Sequence, residues 1–151
     1  SPIIAGDLIF GSTGSGGGGN YIVMVRASSE PKIAYRITRQ APYVPAPVLR
    51  DELMFLWSDK GFVTCVNSQD GKEHWKKRLD TAFSGSPIRV GDKMFCMDEE
   101  GVVFVVAAEK EFKLLAKNPL GEASRSTPAV SGGRMFLRTY SHLICVGAKS
   151  L

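Results

Sequence analysis

The ten residues SPIRVGDKMF, Ser86–Phe95, read as a strand, a tight turn and a second strand. A proline behind a small residue opens the segment, an apolar residue follows, and Gly91-Asp92 supplies the turn between two extended runs. Three other stretches are built alike: SPIIAGDLIF at 1–10, APVLRDELMF at 46–55 and TPAVSGGRMF at 127–136. Their prolines, Pro2, Pro47, Pro87 and Pro128, lie 45, 40 and 41 residues apart, so the chain is an array of units.

Outward from each opening comes a turn, with Gly61 closing SDKG and Gly101 closing DEEG, and then another strand: FVTCVN, VVFVVAA and, in the last unit, HLICVG. A polar turn and a further strand complete the unit, with Tyr35, Trp75 and Leu115 at corresponding places 40 residues apart. The units run about 1–40, 41–80, 81–121 and 122–151, and the last stops after LICVG without the outer strand of the others. No amphipathic helical stretch interrupts them. The pattern predicts an all-β fold of four consecutive four-stranded antiparallel units arranged as β-propeller blades.

The glycine run GSTGSGGGGN, Gly11–Asn20, fits this frame. The offset between the first two units is 45 before it (Phe10 to Phe55) and 40 after it (Tyr35 to Trp75), which makes it a five-residue insertion in a hairpin turn. It is not a phosphate loop, because it lacks the Lys of that motif and leads into the strand YIVMVRA rather than a helix.

Bulk properties narrow the function. The 151 residues are 44% hydrophobic, enough for a folded domain with a core, and the net charge of +4 comes from scattered residues. No Lys/Arg run interleaved with aromatics appears, so no nucleic-acid partner is expected. No apolar run approaches the roughly 18 residues of a membrane-spanning helix. Cys65, Cys96 and Cys145 sit in apolar strand-like runs without ligand spacing, and Cys65 and Cys145 are two periods apart, as equivalent core positions would be. His74 and His142 have no second ligand nearby, Asp59, Asp98, Glu99 and Glu100 belong to hairpin turns, and G-x-S-x-G is missing. The residues point to no metal, cofactor or catalytic group.

At VNSQDGKEHW, Val66–Trp75, the chain resembles the docking motif of quinoprotein-like (PQQ-like) propeller repeats, in which a small residue, an Asp, a Thr-Gly pair and a Trp are fixed over eleven positions. Cys65 stands for the small residue, Asn67 for the Asp and Asp70 for the Thr, while Gly71 and Trp75 match. The neighbouring copies depart from it, with PKIAY and EFKLL. Physically, Gly71 permits the turn, Asn67 and Asp70 bond turn amides, and Trp75 lays a large ring between sheets.

The degenerate pattern is similar to the noncatalytic branch of that family, which includes barrel-assembly lipoproteins of bacterial outer membranes and secreted relatives. The resemblance implies a noncatalytic scaffold for an unidentified protein partner, periplasmic or secreted at a bacterial cell envelope, with no cofactor. The alternative is a piece of a quinone-dependent dehydrogenase whose catalytic residues lie outside this chain. In such propellers the loops from the outer strand of one blade to the inner strand of the next surround the axis. Here they read RQAPYVPA, DTAFSGS and LGEASRS. Arg39, Tyr43, Phe83 and Arg125 are therefore the candidate partner-binding residues, against the alternative that the two aromatics cover the core. Rings of this family close with seven or eight blades, so four units are expected to be the C-terminal half of a larger propeller. Two copies are expected to pair through open flanks as a homodimer.

Overall fold

The computed structural model describes residues 2–13, 20–39 and 41–147. The first sheet holds β1 (Ile3–Ala5), β2 (Leu8–Thr13), β3 (Tyr21–Arg26) and β4 (Lys32–Ile37). The second holds β5 (Val48–Arg50), β6 (Leu53–Trp57), β7 (Phe62–Asn67) and β8 (Glu73–Arg78). β9 (Ile88–Val90), β10 (Lys93–Met97), β11 (Val102–Ala107) and β12 (Leu114–Pro119) form the third, and β13 (Ala129–Ser131), β14 (Arg134–Arg138) and β15 (Leu143–Gly147) the fourth. Every sheet is an antiparallel meander in chain order, and among the described residues there is no helix. The fold is all-β, as the repeat predicts. The fourth sheet has three described strands, and the outer edge of β15 pairs with no described strand.

The strands that form are short because each unit must reverse direction three times in forty residues, with turn residues at fixed places. Their composition follows from burial on both faces. Along β6, Phe55 and Trp57 point to one side and Met54 and Leu56 to the other, and all four are at most 2% exposed. Phe55, Trp57, Val63 and Cys65 meet Met94, Cys96, Phe104 and Val106 of the third sheet in one core. Met54, Leu56 and Val66 meet Leu8, Phe10, Ile22 and Met24 of the first sheet in a second core. Met97, Val103 and Leu137 centre a third core between the third and fourth sheets. The sheets thus stack face to face in series.

The ladders make the repeat explicit. Phe10 opposes Met24, Phe55 opposes Cys65, Phe95 opposes Val105 and Phe136 opposes Cys145. Cys65 and Cys145 are therefore structurally equivalent, although Cys65 is buried and Cys145 exposed. One equivalence is corrected. Tyr35 opposes Met24 and Trp75 opposes Cys65, but Ala116, not Leu115, opposes Val105. The β11–β12 turn is one residue longer than the β7–β8 turn, and Leu115 falls at the bulge between the paired residues Leu114 and Ala116. The β14–β15 register is one residue tighter than the β10–β11 register, Phe136 pairing nine residues on where Phe95 pairs ten residues on, which restores the 80-residue spacing of Cys65 and Cys145. Residues 14–19 of the glycine run lie outside the described residues; the strands flanking it, β2 and β3, pair through Thr13 and Tyr21.

Candidate functional site at the loop face

Because strand direction alternates, the connections between sheets and the hairpins β6–β7, β10–β11 and β14–β15 gather at one end of the stack, while the β7–β8 and β11–β12 turns gather at the other. The second end is where the docking motif acts. Asn67 Oδ1 accepts from Gln69 N at 2.8 Å and Asp70 Oδ1 accepts from Lys72 N at 2.9 Å, so both side chains shape the turn. Gly71 has φ +74°, and the ring of Tyr35 from the first sheet lies so close that a Cβ there would meet it at 2.6 Å. Tyr35 donates its hydroxyl to Ser68 O at 2.6 Å, and burial together with the Asp70 charge pushes its pKa up to about 12. Trp75 repeats the contact one sheet on. Its Nε1 donates to Glu109 O at 3.1 Å and its ring meets Phe112 edge to face at 5.1 Å. The β7–β8 and β11–β12 turns each receive an aromatic from the preceding sheet, and Ala116 stands at the next equivalent position. Between the third and fourth sheets lies a mostly apolar crevice of about 300 Å³ lined by residues including Phe95, Leu120, Met135 and Val146.

The loop end is held by backbone and carboxylates. Leu79 N donates to Gly61 O and Leu120 N to Gly101 O, both at 2.9 Å, drawing each connection against the hairpin turn of its own sheet. Gly101 has φ +83°, and a Cβ there would collide with Glu122 O. Thr81 Oγ1 donates to Asp98 Oδ2 at 2.8 Å, while Asp98 Oδ1 accepts from Val102 N at 2.7 Å. At the next junction the partners are exchanged: Thr139, in the place of Asp98, donates to Glu122, in the place of Thr81. Glu122 also accepts from Ser141 and faces His142 Nδ1 at 3.1 Å, and these hydrogen bonds hold its pKa down to about 2. Ser84 donates to Glu99, whose other oxygen faces Arg125 at 3.8 Å.

The four partner-binding candidates separate. Arg39, Tyr43 and Arg125 are exposed on this end, Tyr43 at 45%. Phe83 is corrected to a core residue: it is wholly buried, with edge-to-face contacts to Trp57 at 5.0 Å and Phe104 at 5.5 Å, so its ring is unavailable to a partner. Sequence reasoning missed the Thr81–Asp98 and Glu122–Thr139 bonds, because exchange of donor and acceptor erases the residue match between units. Asp98 belongs to a hairpin turn, as the sequence indicates, yet it is only 2% exposed.

Four-stranded antiparallel sheets stacked in series, locked by a turn-docking aromatic, define an arc of a β-propeller. A family model described as outer membrane protein assembly factor BamB matches residues 26–114, more than half of the chain, and the chain belongs to that family. Among solved structures, that of BamB from Moraxella catarrhalis superposes with a TM-score of 0.75 at 14% identity over 99% of this chain. A europium-containing methanol dehydrogenase superposes with a TM-score of 0.62 at 16% identity over 77% of it. The chain spans 44% of the length of the first structure and 24% of the second, and at these identities the likeness is one of fold. No curated protein matches the sequence.

Proposed function

We propose that the chain is a noncatalytic β-propeller scaffold for protein–protein interaction at a bacterial cell envelope, with the loop face as its docking surface. The observation that carries this reading is how the carboxylates of that face are engaged. Asp98 holds Thr81 and the Val102 amide, Glu99 holds Ser84 and faces Arg125, and Glu122 holds Thr139 and Ser141. Their lone pairs fasten loops to one another, which keeps a surface in shape. Membership of the BamB family supports an envelope location and a protein partner. Among the described residues no helix is long and apolar enough to cross a membrane.

The competing reading, part of a quinone-dependent dehydrogenase, draws on the methanol dehydrogenase likeness. Titration of the purified protein with pyrroloquinoline quinone and Ca²⁺ separates the two. The scaffold reading expects no shift in quinone absorbance and no alcohol-dependent dye reduction; either one overturns it. Photo-crosslinkers placed at Tyr43 and Arg125 in cells are expected to capture outer-membrane assembly proteins, and a crosslinker at Lys77 is not.

A further inference from the structure

The second and third sheets each have a sheet on both sides, and their outermost strands, β8 and β12, form the rim of the stack where the two adjoin. Charge is sorted along these sheets. Of the chain's 15 carboxylate side chains only Glu73 lies in a strand, and the others occupy turns and connections at the two ends of the stack. The rim strands carry Lys76, Lys77, Arg78 and Lys117, with Lys113 at the foot of β12. Glu73 is taken by Lys76 at 2.8 Å and Arg78 pairs with Asp80 at 3.1 Å, whereas Lys77, Lys113 and Lys117 form no ion pair among the described residues. Lys77 opposes Val63 and Lys117 opposes Phe104, both in the core between the two sheets, so the two side chains border the outer opening of one seam. Lys77 Nζ stands 5.9 Å from the centre of the Phe112 ring and Lys117 Nζ 5.1 Å from that of Phe104, which lays the stems on apolar surface and leaves the heads in water. On the same strand as Lys117, Leu114 and the bulge residue Leu115 remain 37% and 39% exposed.

We propose that this rim binds the headgroup layer of an anionic lipid bilayer, with Lys77, Lys113 and Lys117 on lipid phosphates and Leu114 and Leu115 at the headgroup boundary. Charge complementarity calls for an anionic partner, because three ammoniums stand without carboxylates. The leucines select among anionic partners. Exposed apolar side chains set among lysines are the composition of a membrane-surface element. A nucleic acid would leave the two leucines against its phosphates, and among the described residues β8 and β12 offer it no exposed aromatic ring for base stacking. The contact is peripheral and electrostatic, so it strengthens with anionic lipid content and weakens with salt. The rim is the side of the stack and the loop face one of its ends, so the loop face stays open while the rim is engaged. The proposal is independent of what the loop face binds.

Co-sedimentation of the purified protein with vesicles tests this. Vesicles of phosphatidylglycerol and phosphatidylcholine at low ionic strength are expected to carry the protein down, and vesicles of phosphatidylcholine alone are not. Lys77→Glu with Lys117→Glu is expected to weaken binding by roughly tenfold or more. A control pair with the same change of charge, Lys60→Glu with Lys72→Glu at the two ends of the stack, is expected to keep it within about threefold. Leu114→Gln with Leu115→Gln is expected to weaken vesicle binding at every salt concentration. All six positions are exposed, so circular dichroism should show the fold retained in each variant. No sedimentation with anionic vesicles, or an equal loss in the control pair, would overturn the proposal. So would binding of a DNA duplex or polyglutamate as tight as that of vesicles and indifferent to the leucine changes, which would mean a general affinity for polyanions.

Discussion

Tyr35, Trp75 and Ala116 are three occupants of one position, and the molecule records what each does there. The two aromatics reach the turn of the next sheet and donate to its backbone; the alanine carries neither ring nor side-chain donor, and a crevice stands at that junction. Trp75 is half-buried and touches Phe55 as well as Phe112, so Trp75→Ala should cost about 3 kcal/mol, the low end for a large core aromatic. Trp75→Phe, which keeps a ring but not the Glu109 hydrogen bond, should cost about 1 kcal/mol. Denaturant midpoints measure both. An unchanged midpoint in Trp75→Ala would remove the docking role. Protonation adds a second test at the same scale. Tyr35 has a folded pKa of about 12, above the usual 10.0. The folded state holds its proton more tightly, so stability is full below pH 10 and declines as pH rises toward 12. Glu122 has the opposite sign. Its pKa of about 2 lies below the usual 4.5, so its contribution is complete above pH 4.5 and fades as pH falls toward 2. Tyr35→Phe should flatten the alkaline limb and Glu122→Gln the acidic one.

Within an element pair, the strands were readable because burial on both faces demands apolar runs such as LMFLW and VVFVVA, and because turns need Gly or Asp at recurring places. The offsets of 40, 41 and 80 were readable too, but not where the extra residue entered. Leu115 has an apolar neighbour on its amino side and a small one on its carboxyl side, and only the bulge in the ladder decides that Ala116 holds the aromatic's place. Asn67, Asp70 and Gly71 stood out because their chemistry acts within a few residues of chain, and Trp75 because it closes the same motif although its docking contacts lie in the next sheet. Phe83 was ambiguous for the opposite reason: its exposure depends on Trp57 and Phe104, 26 residues before it and 21 after it. The exchanged pairs suggest a direct experiment. Thr81→Ala should destabilise by about 1–2 kcal/mol, since Asp98 stays buried with one partner fewer. The double exchange Thr81→Glu with Asp98→Thr, copying the Glu122–Thr139 arrangement, should recover most of that loss. A double variant less stable than Thr81→Ala would show that the two junctions are not interchangeable.

For the molecule as a whole, three apolar seams in series replace one central core, and solvent reaches each seam differently. Cys65 and Cys96 lie in the same seam, fully buried, and burial pushes both thiols up, Cys65 to about 12. Cys145 lies on the outward face of the last sheet. A thiol reagent at neutral pH should therefore modify one cysteine rapidly in the native protein and all three after denaturation. Rapid modification of Cys65 or Cys96 would mean that the seam between the second and third sheets opens readily. The outer edge of β15 carries a different consequence. Backbone amides and carbonyls along Leu143–Gly147 can be read by any extended chain, because main-chain groups are the same in every protein. Such an edge is a template, and it selects what it copies by shape alone. Among the described residues that edge is the least discriminating surface, and a strand that paired with it would extend the fourth sheet whatever its side chains.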